Sequence, residues 1–296
     1  MKRMRIPLLC TLAVAVIGII LGSFLDLSIS KAIASSSNKF ALTISAIVPT
    51  IGFAGVAAMG GGFVALALHG KYHIVLKVLF FVLAGCCLAV SLIYPHGEYF
   101  GINGFYNEKL DWLGYVIVLL PECGAMVGGY FLYKDCQNKN LWIIFCIVIV
   151  TLLIALLAVI PTIKDNMHRP RYRWLADEAH NLNLFHNWWE PFPEYKNYLE
   201  FTHKDNFKSY PSGHTAEASI LFVCITFLPL ANKKYEKIQL PLFFAACGIV
   251  LLVAIARILA AAHYLSDVSW GATIVLSLLI IANEVVMRIK ALQIQE

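Results

Sequence analysis

The chain has 296 residues, 59% of them hydrophobic and only 14% charged. A soluble domain is about half apolar and about a quarter charged, so this composition excludes an ordinary soluble enzyme. The formal net charge of +5 is spread over short loops between apolar runs, and reads as membrane topology rather than nucleic-acid binding.

Nearly uncharged runs of about 17–23 residues, the length that crosses a bilayer core, recur along the chain. They predict an all-α, polytopic transmembrane bundle with eight spans, roughly 6–25, 47–68, 74–94, 112–133, 141–163, 214–231, 240–262 and 268–287. Lys77 intrudes on the third span, and Glu217 and Pro229 on the sixth. MKRMR, an apolar run and Ala32-Ile33-Ala34 resemble a cleavable leader. The run is long for one, and the expectation is an uncleaved anchor. With Lys2, Arg3 and Arg5 cytoplasmic, alternation puts Lys71, Lys77, Lys134, Lys139, Lys233, Lys234, Lys237, Arg288 and Lys290 inside as well, and only Lys31, Lys39 and Lys109 in short outer loops. Both termini are expected in the cytoplasm, with the plasma membrane as the location.

The eight cysteines lack metal-ligand spacing and read as small buried hydrophobes. Between the spans, loop 26–46 is expected to hold a short interfacial helix, and loop 95–111 is rich in Gly, Tyr and Phe. The outer segment of about 164–213 is too long for a bare connection. Its HNWWEPFPEYKNY (186–198) clusters aromatic rings, suited either to the headgroup layer or to a substrate portal. Gly60-Gly61-Gly62 suggests close helix contact or a kink. Glu122, inside the fourth span, suggests a protonated packing residue or part of a polar path.

Three polar clusters carry chemistry: KDNMHRPRYRW (164–174), YPSGHT (210–215) and ARILAAAHYLSDV (256–268). Alternation places all three at the same outer face. Ionisable groups near a membrane span cost roughly 2.5–3.5 kcal/mol each at a helix centre, so they face a cavity or one another. Lys164, Arg169 or Arg171, and Arg257 suit an anion, since Arg binds phosphate oxygens in bidentate fashion. His214 and His263 offer a nucleophile and an acid. His263 and Asp267 are four apart, which on a helix is one face, and a carboxylate on one ring nitrogen leaves the other free to attack. Ser212 and Gly213, just before a helix, offer backbone N–H groups to an anion. Together these describe a phosphoryl-transfer pocket that needs no metal and no cofactor.

The clusters resemble the three signatures of the type 2 phosphatidic acid phosphatase (PAP2) superfamily, K-x6-R-P, P-S-G-H and S-R-x5-H-x3-D. Pro211-Ser212-Gly213-His214 matches in full. Arg257, His263 and Asp267 match the third signature, with Ala256 in place of its Ser. Lys164 and Arg171 keep the first spacing, but Tyr172 replaces the Pro, whereas Arg169-Pro170 supplies the dipeptide five residues after Lys164. The spacing favours Arg171, with Arg169 contributing only headgroup attraction. The resemblance implies a six-helix core in a single membrane-embedded domain spanning 1–296. The motifs then lie within about 141–290, and the N-terminal spans (about 6–133) are partly an elaboration. It implies that His263 attacks phosphorus, Asp267 orients it, His214 protonates the leaving oxygen, and Lys164, Arg171, Ser212, Gly213 and Arg257 hold the phosphoryl oxygens. The expected function is metal-independent hydrolysis of a lipid phosphate or diphosphate at the extracytoplasmic face, with the bilayer and its lipids as partners. A lipid phosphotransferase would use the same pocket. A non-catalytic lipid-binding or transport protein is the alternative from another class; a transporter would bind near the midplane rather than at one interface.

Overall fold

A computed structural model of the chain describes residues 2–101, 111–136, 138–177, 182–289 and 292. The chain is a helical integral membrane protein. Among the described residues eight helical stretches are long and apolar enough to cross a bilayer, in the order expected. The long helices are α1 (Lys2–Ile33), α2 (Lys39–His69), α3 (Ile74–Gly101), α4 (Asp111–Tyr133), α5 (Leu141–Leu153), α10 (Glu236–Leu259) and α11 (Leu265–Arg288). The shorter ones are α6 (Ile160–Met167), α7 (Tyr172–Leu175), α8 (Gly213–Ala218) and α9 (Ile220–Phe227).

One expectation of the loops changes. The connection expected over 26–46 is only a few residues, because α1 runs on to Ile33 and α2 already begins at Lys39. Asp26, Ser28 and Ser30 look like the end of a span, but Asp26 is buried against Arg169 and needs no water. Residues 102–110 of the Gly/Tyr/Phe-rich loop, together with Lys109 and Lys290, lie outside the described residues.

Helix α2 packs chiefly on α3 and α4, and α1 on α11. Gly61 bears out the close contact suggested for the glycine triplet: a Cβ there would run into the backbone of Met126 and Tyr130 on α4. Glu122 is fully buried in α4. All eight cysteines are free thiols.

Between α5 and α6 the chain widens into a π turn, Ile154–Val159. Pro161 has no N–H to return to the preceding turn, and the Ile160 N–H reaches back five residues to the Ala155 carbonyl. Such π turns often sit at functional sites, and this one presents Leu156 to two cavities described below.

The basic turns collect at one end of the bundle. The Tyr72 hydroxyl donates to the Lys139 carbonyl, the Asn138 amide to the Leu292 carbonyl and the Tyr235 hydroxyl to the Leu132 carbonyl. Arg5 pairs with Glu284 at 3.3 Å, tying the start of α1 to the last turns of α11. The three polar clusters gather at the opposite ends of these helices.

Candidate active site

The second cluster builds a short helix start. The Ser212 hydroxyl accepts from the Thr215 N–H at 3.4 Å and from the Thr215 hydroxyl at 3.1 Å, which caps α8. The Ser212 N–H is taken by the Asp267 carbonyl at 3.0 Å. Helix α11 comes close here, since a Cβ on Gly271 would collide with the Ser212 carbonyl. Ser212 is therefore a buried cap beneath the pocket, and its backbone N–H, expected to face an anion, is already taken by Asp267. Gly213 and His214, the first two residues of α8, do border the pocket.

The third cluster reverses the chain between α10 and α11. The N–H groups of Ala262 and His263 both return to the Arg257 carbonyl at 3.2 Å, and Ala261 takes a left-handed conformation at φ 54°. Three small alanines let this reversal bury itself. Arg257 stays in the last turn of α10, and His263 precedes α11 rather than belonging to it.

That geometry changes the expected His–Asp pair. The helical-face argument fails because α11 begins only at Leu265. His263 Nδ1 lies 2.5 Å from the Ser209 carbonyl and 3.9 Å from Asp267 Oδ2. A carbonyl only accepts, so Nδ1 carries the proton and Nε2 has the lone pair. Asp267 reaches the imidazole through Ser209: its Oδ2 accepts the Ser209 hydroxyl at 2.5 Å and the Tyr264 N–H at 2.9 Å.

In the first cluster the two arginines part company. Arg169 is fully buried and donates to Asp267 Oδ1 at 2.5 Å, Asp26 Oδ2 at 2.9 Å, the Ser266 hydroxyl at 2.8 Å and the His186 carbonyl at 2.8 Å. Its guanidinium also stacks 4.2 Å from the Tyr264 ring centroid. It is an internal counter-ion, so the expectation that it merely attracts headgroups is wrong. Arg171 Nε is held by the Asp205 carbonyl at 2.8 Å, and the residue faces the same cavity as Lys164, as the spacing expected.

That cavity, about 210 Å³, is lined by Lys164, Arg171, Lys208, Gly213, His214, Glu217 and His263, with Leu156, Ile160 and Pro161 on its apolar side. A second, of about 160 Å³, shares Lys164, Arg171, Lys208 and His214 and adds Arg173, Asp205 and Arg257. Of the predicted site residues, Lys164, Arg171, Gly213, His214, Arg257 and His263 border one or both; Ser212 and Asp267 lie behind them. Lys208 and Arg173 are further cations that the motif spacing did not point to, and Glu217 is a carboxylate among them. Burial, then the charges of Arg171, Arg257 and Lys164, hold the His263 imidazole well below its usual range. Those surroundings favour its neutral, basic form.

The aromatic outer segment packs behind the site. Phe192 is buried with Trp174, Phe207 and Tyr264 in one apolar cluster. Trp188 donates to the Ser23 hydroxyl of α1 at 3.0 Å and lies 5.1 Å from the Trp270 ring. The residues lining the two polar cavities come from other segments, so this stretch braces the pocket rather than forming its mouth.

Residues 139–290, just over half of the 296-residue chain, match a family model described as PAP2 superfamily. The chain belongs to the PAP2 superfamily. Members of this superfamily are phosphatases, and this chain is a PAP2 phosphatase acting on phosphate esters. No match was found among curated proteins or among solved structures.

Proposed function

We propose that this PAP2 phosphatase hydrolyses a lipid phosphate or diphosphate at the extracytoplasmic face of the plasma membrane, through a phosphohistidine on His263. In the first step His263 Nε2 attacks phosphorus while the bond to the leaving oxygen breaks, and His214 gives that oxygen its proton. In the second, water attacks the phosphohistidine, loses a proton to His214 and releases inorganic phosphate. Lys164, Arg171 and Arg257, joined by Lys208, neutralise the phosphoryl oxygens as charge builds on them. Gly213 borders the same space. Asp267 acts on His263 through Ser209.

The observation that carries this reading is the convergence of two histidines and several cations, from segments far apart in sequence, on one cavity of about 210 Å³. A lipid is favoured over a soluble ester because Leu156, on the wall of that cavity, also lines an apolar groove of about 230 Å³ with Phe53, Val56, Leu83, Cys87, Val90 and Leu153 among others. In this reading the phosphate head takes the polar cavity and the apolar chain lies along the groove. The outer face is favoured because the lysine-bearing turns lie at the opposite end of the bundle. The chain is read as one domain, whose N-terminal spans supply the wall of the groove.

The test is phosphate release from phosphatidate, phosphatidylglycerophosphate, a polyprenyl diphosphate and 4-nitrophenyl phosphate, each in EDTA. Release from a lipid phosphate with a kcat/KM well above that for the aryl phosphate is expected. Equal or better use of the aryl phosphate would exclude the lipid reading.

A further inference from the structure

Gly18, Gly22 and Asp26 recur every fourth residue and so share one face of α1. That face lies against the start of α11. A Cβ on Gly22 would sit 2.5 Å from the Ser266 nitrogen and 2.8 Å from its Cβ, so only glycine allows this approach. The approach brings Asp26 into the interior, 2% exposed. Its Oδ1 accepts the Ser266 N–H at 2.9 Å, and its Oδ2 accepts Arg169 Nη2 at 2.9 Å and the Ser266 hydroxyl. Arg169 passes on to Asp267, Asp267 to the Ser209 hydroxyl, and the Ser209 carbonyl to His263 Nδ1.

We infer that Asp26, on a helix outside the family-matched segment, is a positioning residue for phosphoryl transfer, acting through Arg169, Asp267 and Ser209 on His263. The inference rests on His263 being the nucleophile, as proposed above. One guanidinium between two carboxylates leaves the buried cluster with one net negative charge. Without Asp26, Arg169 pairs with Asp267 alone and the cluster is neutral. The groups facing His263 are otherwise mostly cationic: Lys164 from α6, Arg171 before α7, Lys208 from the loop before α8 and Arg257 from α10, with His214 and the carboxylate of Glu217 from α8, and Tyr264 and Asp267 at the start of α11. When His263 accepts a phosphoryl group with Nδ1 still protonated, its ring becomes positive. The net negative charge behind Ser209 favours that state, and the fixed carboxylate keeps the Ser209 carbonyl aimed at Nδ1. The first helix is thus part of the catalytic apparatus and not an added anchor.

The test uses the purified full chain in detergent with 4-nitrophenyl phosphate as substrate and Asp26→Asn as the variant. Asparagine keeps one oxygen to accept the Ser266 N–H, removes the charge, and puts an amide NH2 where Oδ2 accepted from Arg169 and from the Ser266 hydroxyl. Per folded molecule, kcat is expected to fall by about 10- to 100-fold, the loss typical when an outer-shell partner is removed. KM should stay within about twofold, because Asp26 lies behind Asp267 rather than at the pocket wall. Removing a negative charge makes the imidazolium less stable, so the acidic limb of kcat/KM should move to lower pH relative to the wild type. If Asp26→Asn does not fold, Ser266→Ala carries the test: it buries no unpaired charge, and it should lower kcat severalfold with KM kept. Wild-type kcat per folded molecule and a wild-type pH profile in Asp26→Asn, or wild-type kcat in Ser266→Ala where that variant carries the test, would reduce Asp26 to a purely structural role. That outcome leaves the lipid reading intact, whereas a wild-type enzyme that prefers the aryl phosphate overturns the lipid reading and leaves this test standing.

Discussion

Removing Arg169 and removing Arg171 should have opposite signatures, although the two side chains are only two residues apart. Arg169 is 1% exposed and is shared by two carboxylates that are themselves buried. Arg169→Ala strands both Asp26 and Asp267 without a counter-ion. Breaking a buried pair in this way costs about 3–5 kcal/mol, because the remaining charge has neither water nor partner. At about 2–4 °C per kcal/mol for a mid-sized chain, the melting temperature should drop by roughly 6–20 °C. Arg169→Lys should recover only part of this, since an ammonium cannot hold two carboxylates and Ser266 in one planar fork. Arg171→Ala removes a cation from the pocket wall and leaves no buried charge alone, so it should melt within about 2 °C of the wild type, as surface changes do. Its turnover should fall by about 10²–10³, the loss when one transition-state donor is removed. The assay is thermal unfolding in detergent paired with phosphate release per folded molecule. An Arg169→Ala protein with wild-type melting and turnover, or an Arg171→Ala protein that fails by unfolding, would refute the division of roles.

Other consequences follow from the same geometry. Lys208 borders both polar cavities while its exposed pairing with Asp165, at 3.3 Å, adds about 1 kcal/mol or less; Lys208→Ala should raise KM severalfold with little change in melting temperature, and an unchanged KM would remove it from the binding set. His263 is held below its usual range, so it stays neutral as pH falls past 6.5, and the acidic limb of kcat/KM for an aryl phosphate should lie below pH 6.5 once the substrate's own ionisation is taken into account; a limb at or above 6.5 assigned to His263 would contradict the cationic surroundings described. A cysteine in place of exposed Glu200 should react with an impermeant thiol reagent in intact cells and one in place of exposed Lys234 should not; the reverse pattern would put the pocket in the cytoplasm.

Much of the architecture was legible in the sequence because bilayer spans are set by composition alone. The eight apolar runs survive as eight candidate spans, even where Lys77 or Glu217 interrupts them. That Arg171 shares a cavity with Lys164 was legible in their seven-residue separation, since spacing along the backbone determines where a side chain arrives. What escaped was the wiring behind the pocket. Asp26 looked like the end of the first span, because an isolated carboxylate belongs in water and its counter-ion lies 143 residues away. The four-residue spacing of His263 and Asp267 suggested one helical face, but the alanine reversal delays the helix until Leu265, and Ser209 carries the contact instead. The backbone N–H of Ser212 looked free for an anion because it stands at a helix start, and only the fold shows the Asp267 carbonyl on it. Lys208 lies four residues before Ser212, a spacing with no meaning until the loop is folded.

The most direct measurement of the central claim is the fate of a labelled phosphoryl group. The full-length protein, incubated briefly with a phosphorus-labelled lipid phosphate and quenched in base, should carry base-stable, acid-labile label on the peptide containing His263. The His263→Ala protein should be folded, unlabelled and inactive. Turnover without such a label, with a His263→Ala protein that still hydrolyses the lipid at the wild-type rate, would contradict the account.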